Sequence, residues 1–456
     1  MNVTKRVGLV TGVVSLSLTC AGFANASGSN DQDLQARLDK MEAEVARLQA
    51  QQGDTQMTEQ RASEIRAIVQ DVLADADTRA SLLQGGMSGG WDDGFYLASS
   101  DGGFRLNVSG QMQVRFIYNR QDDEAALDGD ANRAGFENTR TKLIFSGNVF
   151  NQDWTYKIEG NFGRGSSESG AGFALQDAWI NYDFGNNFGL RVGQFKGPFS
   201  REYLVDSSTQ LAVERSVITG AFNTGRVQGI MVHWANEQFR WAASLNDGLR
   251  SANTAALVYD TEWSVGARAE LLLSGNWDQF EDFTSWQDDE FGALIGGAVH
   301  YQSTEYGTAA IGEVDTLLLT VDAQLEFGGA NLFAAVYYSD FDSDVSSGDF
   351  NPWGFVLQGG VMLNEEWELF GRFEWGDSDI AGSDELAILT VGVTKFWDAH
   401  NLKWTTDVGY SFDQIDAFWA GGAIFGATDA DLAGYRQDNA DEDGQLVLRT
   451  QLQLLF

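Results

Sequence analysis

Charged side chains at alternate positions of otherwise apolar segments are the groups of this sequence best placed to do chemistry. Over 104–119, Arg105 and Arg115 share one parity with Asn, Ser and Gln, while Phe, Leu, Val, Met and Tyr take the other. Residues that alternate in this way lie on opposite faces of a β-strand. Clusters of Arg and Lys on a water-facing surface attract and orient anions. The same parity in later segments adds Arg140, Lys142, Lys157, Arg191 and Arg449.

Acidic side chains dominate the corresponding parity further along the chain. They are Asp322, Glu326, Glu366, Glu368, Glu374, Asp407 and Asp413, against the cations Arg372 and Lys403. If all segments form one closed wall, a basic side and an acidic side face each other across its interior. Such a transverse field would orient and filter small hydrated solutes.

A second group of cations lies in a segment that lacks the alternation. At about 28 residues, 196–223 is an uncommonly long connector for this chain, and long connectors of compact proteins are often functional. Its charged residues are Lys196, Arg201 and Arg215 with Glu202, Asp206 and Glu214. We take its three cations as candidates for a constriction.

Groups that would support enzymatic chemistry are scarce. His233, His300 and His400 are scattered, and neither a Ser-His-acid order nor a GxxxxGK sequence accompanies them. The single cysteine, Cys20, lies in the N-terminal leader, so the mature chain has no thiol or disulfide. We therefore predict no enzyme, no cofactor and no metal site.

Sixteen alternating segments define the elements that must position these charges. Their even number, and connectors that alternate between short and long, are typical of an outer-membrane barrel with short periplasmic turns and long outer loops. The predicted fold is thus an all-β transmembrane barrel of 16 antiparallel strands, wide enough for an aqueous channel. The spans are 104–119, 137–150, 153–163, 173–184, 188–195, 224–235, 238–247, 262–273, 291–303, 315–328, 330–341, 353–363, 366–376, 386–396, 401–413 and 444–456.

One connector breaks the alternation of lengths. The segment 274–290 should be a short periplasmic turn, yet it has about 17 residues. Either this turn is elaborated or the strand count slips there.

Composition and net charge agree with a barrel whose outer loops are acidic. The chain has 52 Gly, 30 Phe, 14 Trp and 12 Tyr but only two Pro, which suits many strands with aromatic girdles. A net charge of −37 would favour cations if it lined the passage. Much of it falls instead in the predicted outer loops, where we interpret it as a solvated surface.

The N-terminal part has a different organisation. Lys5 and Arg6, an apolar stretch and Ala24-Asn25-Ala26 predict a signal peptide, 1–26, cleaved after Ala26. Beyond this leader no run of about 18 apolar residues occurs, as a spanning helix would need. The chain ends in Phe456 on an alternating strand, which resembles the signal read by outer-membrane assembly machinery.

A heptad seam follows the leader. Leu34, Leu38, Met41, Val45 and Leu48 are spaced 4, 3, 4, 3, which predicts a short coiled coil. We expect a helical periplasmic stalk over 27–84, with a lone surface helix as the alternative. A Gly-rich linker, 85–103, then leads to the barrel, 104–456.

The sequence of the long segment is also similar to that of a known protein family. GQFKGPFSREYLVDSSTQLAVERS, residues 193–216, resembles the phosphate-selective porin family, the O and P porins, whose members share a GQFK-P-F-S turn followed by E-R-S. The matching residues are Gln194, Phe195, Lys196, Pro198, Phe199, Ser200, Glu214, Arg215 and Ser216. With the strand ladder, the resemblance covers roughly four-fifths of the chain. It implies a trimeric outer-membrane channel whose third loop turns inward and whose basic constriction passes phosphate-like anions.

We therefore predict an outer-membrane porin, a passive diffusion channel for small hydrophilic solutes and chiefly anions. The expected partners are outer-membrane lipid, small anionic or polar solutes and two further copies of the chain, with peptidoglycan close to the stalk and no nucleic acid. A non-specific or weakly cation-selective porin and an envelope-tethering barrel are the alternatives. Candidate pore-lining residues are Lys196, Arg201, Arg215, Arg105, Arg115, Arg140, Lys142, Arg191 and Arg449.

Overall fold

The chain divides into two units, 1–82 and 83–456. The computed structural model describes residues 39–44, 86–92, 94–122, 125–126, 129–163, 173–256, 260–305, 313–343, 349–383, 385–420, 433–438 and 444–456. In the first unit, residues 39–44 form exposed helix. The predicted signal peptide and most of the heptad seam lie outside the described residues. Within the described part of the chain, no helix is long and apolar enough to cross a membrane.

Eighteen strands follow in the described part of the second unit. The first nine are β1 Met87–Trp91, β2 Phe95–Ser99, β3 Arg105–Arg120, β4 Asn132–Asn148, β5 Trp154–Asn161, β6 Ala174–Asp183, β7 Phe188–Lys196, β8 Arg226–Ala235 and β9 Phe239–Asn246. The others are β10 Asp260–Ser274, β11 Gly292–Glu305, β12 Glu313–Glu326, β13 Ala330–Ser343, β14 Trp353–Asn364, β15 Trp367–Asp377, β16 Leu386–Asp398, β17 Leu402–Ser411 and β18 Gln445–Leu455.

Strands β3 to β18 form the closed antiparallel barrel of sixteen strands that the alternation predicts. Each strand pairs with its sequence neighbours, and β18 returns to pair with β3 from Leu446↔Arg120 to Leu455↔Gln111. The short strands β1 and β2 form a hairpin that extends the sheet beside the first residues of β3. This hairpin occupies the stretch expected to be a Gly-rich linker.

The seam between β3 and β18 is closed by backbone hydrogen bonds between the strands and by side-chain hydrogen bonds inside the barrel. The backbones of Gly110 and Phe456 exchange two hydrogen bonds, 2.6 and 3.0 Å long. A Cβ on Gly110 would lie 2.4 Å from the Phe456 ring, so a larger residue there would displace that ring. Inside the barrel, Gln113 donates to the Gln453 side chain at 2.7 Å and to the carbonyl of Ser207 at 3.0 Å. Gln453 donates to the carbonyl of Ser208, also at 3.0 Å.

The two faces of the sheet differ as a wall between lipid and water requires. In β18, Gln445, Arg449 and Gln453 are buried, whereas Leu448 and Leu452 are exposed. The exposed apolar row continues around the barrel as its outer surface, and the polar row faces the interior. The alternation in the sequence therefore identifies the lumen-facing side chains.

The connector 197–225, which we call the inner loop, packs against inward side chains of the barrel wall. It contains two short helices, α1 Arg201–Leu204 and α2 Val217–Phe222, capped by Ser200 and Ser216 respectively. Apolar side chains of the loop form one buried cluster with inward residues of β12 to β18. Among its members are Phe199, Leu211, Val217, Ile218 and Phe222 of the loop, and Leu318, Phe333, Tyr337, Val356, Phe370 and Ile388 of the wall.

Two glycines of the wall make room for this packing. A Cβ on Gly376 would lie 2.7 Å from Ile218 Cδ1, and one on Gly354 would lie 3.0 Å from the same atom. A side chain at either position would therefore force Ile218 to shift from where it packs. Hydrophobic burial of this cluster then holds the loop against β12 to β18.

The long connector after β10 is an elaborated turn, and the strand count is intact. Residues 275–291, here called the inserted turn, contain a single 3-10 turn, Asp278–Glu281. Phe280 and Phe283 are fully buried. Phe283 packs against Phe333 of β13 with ring centroids 4.9 Å apart. Because these aromatic side chains point into the barrel, the turn closes part of its short-turn end.

Candidate functional site

The inner loop is tied to the far wall of the lumen by polar contacts as well as by its apolar core. The hydroxyl of Tyr337 on β13 lies 2.9 Å from both Ser200 Oγ and Thr219 Oγ1. The backbone N–H of Val213 donates to Asp407 of β17 at 3.0 Å, and that of Val217 to Glu374 of β15 at 2.6 Å. Backbone donors of the loop thus meet inward carboxylates of two strands, and the Tyr337 hydroxyl of a third strand joins two side chains of the loop, which fixes the loop inside the barrel.

The two motifs that carry the family resemblance hold the loop in shape. Glu202 accepts from both the backbone N–H and the hydroxyl of Ser216, which joins the two helices. Arg215 donates to the carbonyls of Glu202 and Val205 at 3.1 and 2.8 Å. Lys196 donates to the carbonyl of Leu204 at 3.0 Å. The predicted constriction cations Lys196 and Arg215 are therefore bound to loop carbonyls.

Glu214 anchors the loop to the first strands of the barrel. Its carboxylate receives Arg140 at 2.7 Å and Arg115 at 3.1 Å, and Arg372 donates to its backbone carbonyl at 2.7 Å. Burial alone would raise the pKa of this carboxyl, but the charges of Arg140 and Arg115 hold the pKa well below its ordinary value. Arg115 also pairs with Glu137 of β4. The carboxylate is thus kept ionised within a buried cationic fork.

Other predicted pore residues are also paired with carboxylates. Lys142 binds Glu159 at 2.9 Å, and the fully buried Arg449 binds Asp407 at 2.6 Å. Arg105 lies elsewhere. It pairs with Asp92 at 2.7 Å and stacks over Tyr96 beside the β1–β2 hairpin. Around the inner loop, basic and acidic side chains therefore pair with one another. They do not form the separate basic and acidic walls that the sequence predicts.

Three inward arginines were missing from the predicted set. Arg226 pairs with Asp177 at 2.6 Å, and Arg240 and Arg268 both pair with Glu270. Arg268 also binds Asp322 at 2.7 Å. The alternation within β10 could have identified Arg268 as an inward residue, because Arg268 and Glu270 alternate with the outward Ala267, Ala269 and Leu271.

A cavity of about 570 Å³ remains between the inner loop and strands β5 to β10. Its charged lining residues are Lys157, Arg191, Lys196, Arg201, Arg240 and Arg268 against Asp177, Asp206, Glu270 and Glu281. Arg191 stacks over Trp179, with Cζ 4.1 Å from the ring centroid. Of the predicted site residues, the structure brings Arg191, Lys196 and Arg201 together here.

The inserted turn forms the floor of this cavity and braces the inner loop. Arg201 donates to the carbonyl of Phe280, and Thr209 donates to that of Glu281 at 3.2 Å. On its other side, Asp282 pairs with His400 at 3.0 Å. Burial and the neighbouring charge of Lys403 lower the pKa of His400, which lies in the turn between β16 and β17. No group of side chains suited to hold a metal ion occurs among the described residues.

Comparison with known proteins places the chain in a family. The sequence profile of the family described as phosphate-selective porin O and P matches residues 107–339. A protein of Aquifex aeolicus strain VF5, described as uncharacterized, is 24% identical over 266 residues, which are 52% of this chain and 62% of that protein. The match thus spans less than two thirds of that relative's length.

Solved structures with this fold include two channels. The anion-selective porin from Comamonas acidovorans matches with a TM-score of 0.54 and 14% identity, over 77% of this chain and 99% of that one. The outer membrane channel DcaP of Acinetobacter baumannii matches with a TM-score of 0.50 and 13% identity, over 76% and 97%. At these identities the likeness concerns the fold. Because the family profile covers half of the sequence and spans the inner loop, this chain belongs to the family of phosphate-selective porins O and P.

Proposed function

We propose that this bacterial outer-membrane porin is a passive, water-filled diffusion channel that favours small anions such as phosphate. The observation that carries the proposal is the charge of the cavity beneath the inner loop, where six cationic side chains meet four acidic ones. A cleft lined mainly by one sign of charge concentrates ions of the other sign. The proposed role is therefore transport without chemistry.

The inner loop is proposed to set the position and width of the passage. Its apolar side chains form a buried cluster with inward residues of the wall between β12 and β18. The remaining space lies along β5 to β10, next to the cavity. Solutes would then pass between the loop and the wall that carries Arg191 and Arg268.

The acids of the cavity do not cancel its cations. Asp177 is shared by Lys157 and Arg226, and Glu270 is shared by Arg240 and Arg268. Among the described residues, Lys196 has carbonyl partners and no carboxylate within ion-pair distance. Asp206 lies near enough to act on Lys196 electrostatically without forming an ion pair with it. The position of Lys196 on the cavity wall is what supports anion preference.

A general or weakly cation-selective porin is the second candidate. The observation in its favour is the net charge of −37, much of it in the predicted outer loops. Acids at a mouth would enrich cations before they reach the cavity. The two candidates predict opposite signs for the reversal potential in a salt gradient.

Reconstitution into planar bilayers tests the proposal. We expect stepwise conductance and a reversal potential that reports anion preference in a KCl gradient. Lys196→Gln should reduce that preference more than Arg436→Gln, because Arg436 lies in an outer loop and donates to the carbonyls of Asp130 and Ala131. Dominant cation passage would overturn anion selectivity, and silent bilayers with folded protein would favour an envelope-tethering barrel.

The proposed assembly is a homotrimer with a periplasmic stalk over 27–84. The heptad seam and the family resemblance support it. Because three short heptads are too few to associate tightly on their own, the barrels would supply most of the contact between copies. Chemical crosslinking of the full chain in detergent, with and without residues 27–84, would measure what each part contributes. A monomer in both preparations would contradict the proposal.

A further inference from the structure

The cavity beneath the inner loop contains a guanidinium, that of Arg191, which forms no ion pair with any described residue. Arg191 lies over Trp179, and its Nε is buried without a hydrogen-bond partner. Within the described residues, its side chain has no ion pair. The nearby carboxylates are already taken, because Asp177 binds Lys157 and Arg226. Arg191 therefore presents an unused charged edge.

The stacking of Arg191 determines which shape that edge can bind. Trp179 covers one face of the guanidinium, while the N–H groups point outward in its plane. A planar fork of this kind matches the two oxygens of a carboxylate. Asn181, which pairs with Arg191 in register, is bonded to His233 at 2.7 Å. Asn181 and His233 thus hydrogen-bond to each other, and neither of them occupies the N–H groups of Arg191.

Apolar surface borders the same cavity. Phe195 and Met231 are buried next to Trp179 in one small cluster. Phe280 of the inserted turn also lines the cavity. Sites that bind organic molecules combine such apolar walls with a few placed polar groups, usually in volumes of about 300 to 1,000 Å³. At about 570 Å³ this cavity falls in that range, and an inorganic anion would leave its apolar wall unused.

We propose that this cavity binds an organic carboxylate with a planar apolar body, its carboxylate on Arg191 and its body against Phe195, Met231 and Phe280. The inference rests on the proposed channel function and names a substrate class for it. Lys196, on the same cavity, supplies a second positive charge that draws the anion in. Aryl carboxylates fit this description, whereas acetate and phosphate satisfy only the charged part.

The test compares three anions as blockers of the KCl current through single reconstituted channels. Benzoate added on the short-turn side should interrupt the current at concentrations about tenfold lower than acetate or inorganic phosphate, since aromatic contacts contribute about that factor. Arg191→Gln should abolish the advantage of benzoate, and Trp179→Leu should weaken it. Arg105→Gln is the matched control, because Arg105 also stacks on an aromatic ring but pairs with Asp92 outside the cavity.

Each outcome separates this inference from the function on which it rests. Equal block by benzoate, acetate and phosphate in the unmodified channel would overturn the site and leave the channel intact. Retention of the benzoate advantage in Arg191→Gln would also overturn it. Absence of any conductance from folded protein would refute the channel itself. The comparison in unmodified protein does not depend on whether a variant folds.

Discussion

Single carboxylates decide how the inner loop is held, and Glu214 is the clearest case. Removing one partner from a buried ion pair leaves an uncompensated charge, which costs about 3–5 kcal/mol. We therefore expect Glu214→Gln to loosen the loop and to raise single-channel conductance. The measurement is conductance at fixed salt, together with the thermal unfolding midpoint.

Glu137→Gln provides the matched control for that substitution. Glu137 is partly exposed and binds Arg115 and Thr139, whereas the buried Glu214 binds both Arg115 and Arg140 of the barrel wall. Its removal should have a smaller effect on both readouts. Equal effects of the two variants would mean that Glu214 does not anchor the loop.

The depressed pKa of Glu214 predicts how the loop responds to acid. A carboxylate with a folded pKa below its unfolded value of about 4.3 contributes stability above that value and loses it only as pH falls through the folded pKa. Docking should thus persist through mild acidification. Conductance recorded between about pH 7 and pH 4.5 should stay level, and a steep rise within that window would contradict the prediction.

Parity in the sequence could predict which residues face inward, but not their partners. Arg115 and Arg140 were assigned to the lumen from alternation alone, and both lie there. Their shared partner Glu214 is 99 and 74 residues away, and only the path of the inner loop brings it to them. The sequence therefore indicated cations near the passage and could not tell free ones from neutralised ones.

At the scale of elements, the strands were predictable because membrane and water impose a period of two on every strand. The inner loop was recognisable from its length and its motifs. The direction of the inserted turn was not predicted, although a signal exists. Trp277, Phe280, Phe283 and Trp286 recur every three residues in a segment expected to be polar. Such spacing indicates a buried turn. Its partners are Phe333 and Phe396 of distant strands and His400 of a distant turn.

Shortening the inserted turn tests its contribution to the passage. Replacement of 277–289 by a two-residue turn should raise conductance, because the floor of the cavity and the brace under Arg201 are removed together. A matched control replaces Glu365 and Glu366, which connect β14 to β15 by an ordinary short turn. Unchanged conductance in the shortened variant, with the barrel folded, would show that the turn does not border the path.

For the whole molecule, the spatial separation of charge predicts an unusual dependence on salt. Outer-loop acids act at a distance, so their effect fades as the Debye length falls from about 30 Å at 0.01 M to about 8 Å at 0.15 M. In the proposed passage the cavity cations would contact the solute directly, and their charges would be screened much less. Anion preference should therefore increase as salt rises over this range.

Reversal potentials at a fixed concentration ratio and several absolute concentrations check this expectation. Selectivity in most charged pores weakens as the salt concentration rises. The same behaviour here would mean that salt screens the outer acids and the cavity cations to a similar extent. A variant with neutral residues at Asp377 and Asp379, in an outer loop, should already show the high-salt preference in dilute solution.

The seam between β3 and β18 has a consequence for how the protein assembles. Its strands stand more than 300 residues apart in the chain, so bringing them together carries a large search cost in time. Ser207 and Ser208 bind Gln113 on one edge and Gln453 on the other. The inner loop therefore contacts both edges of the seam, and we expect a loop that docks early to hold these edges near each other. Under that expectation the loop proposed to narrow the passage would also set how fast the wall around it can close.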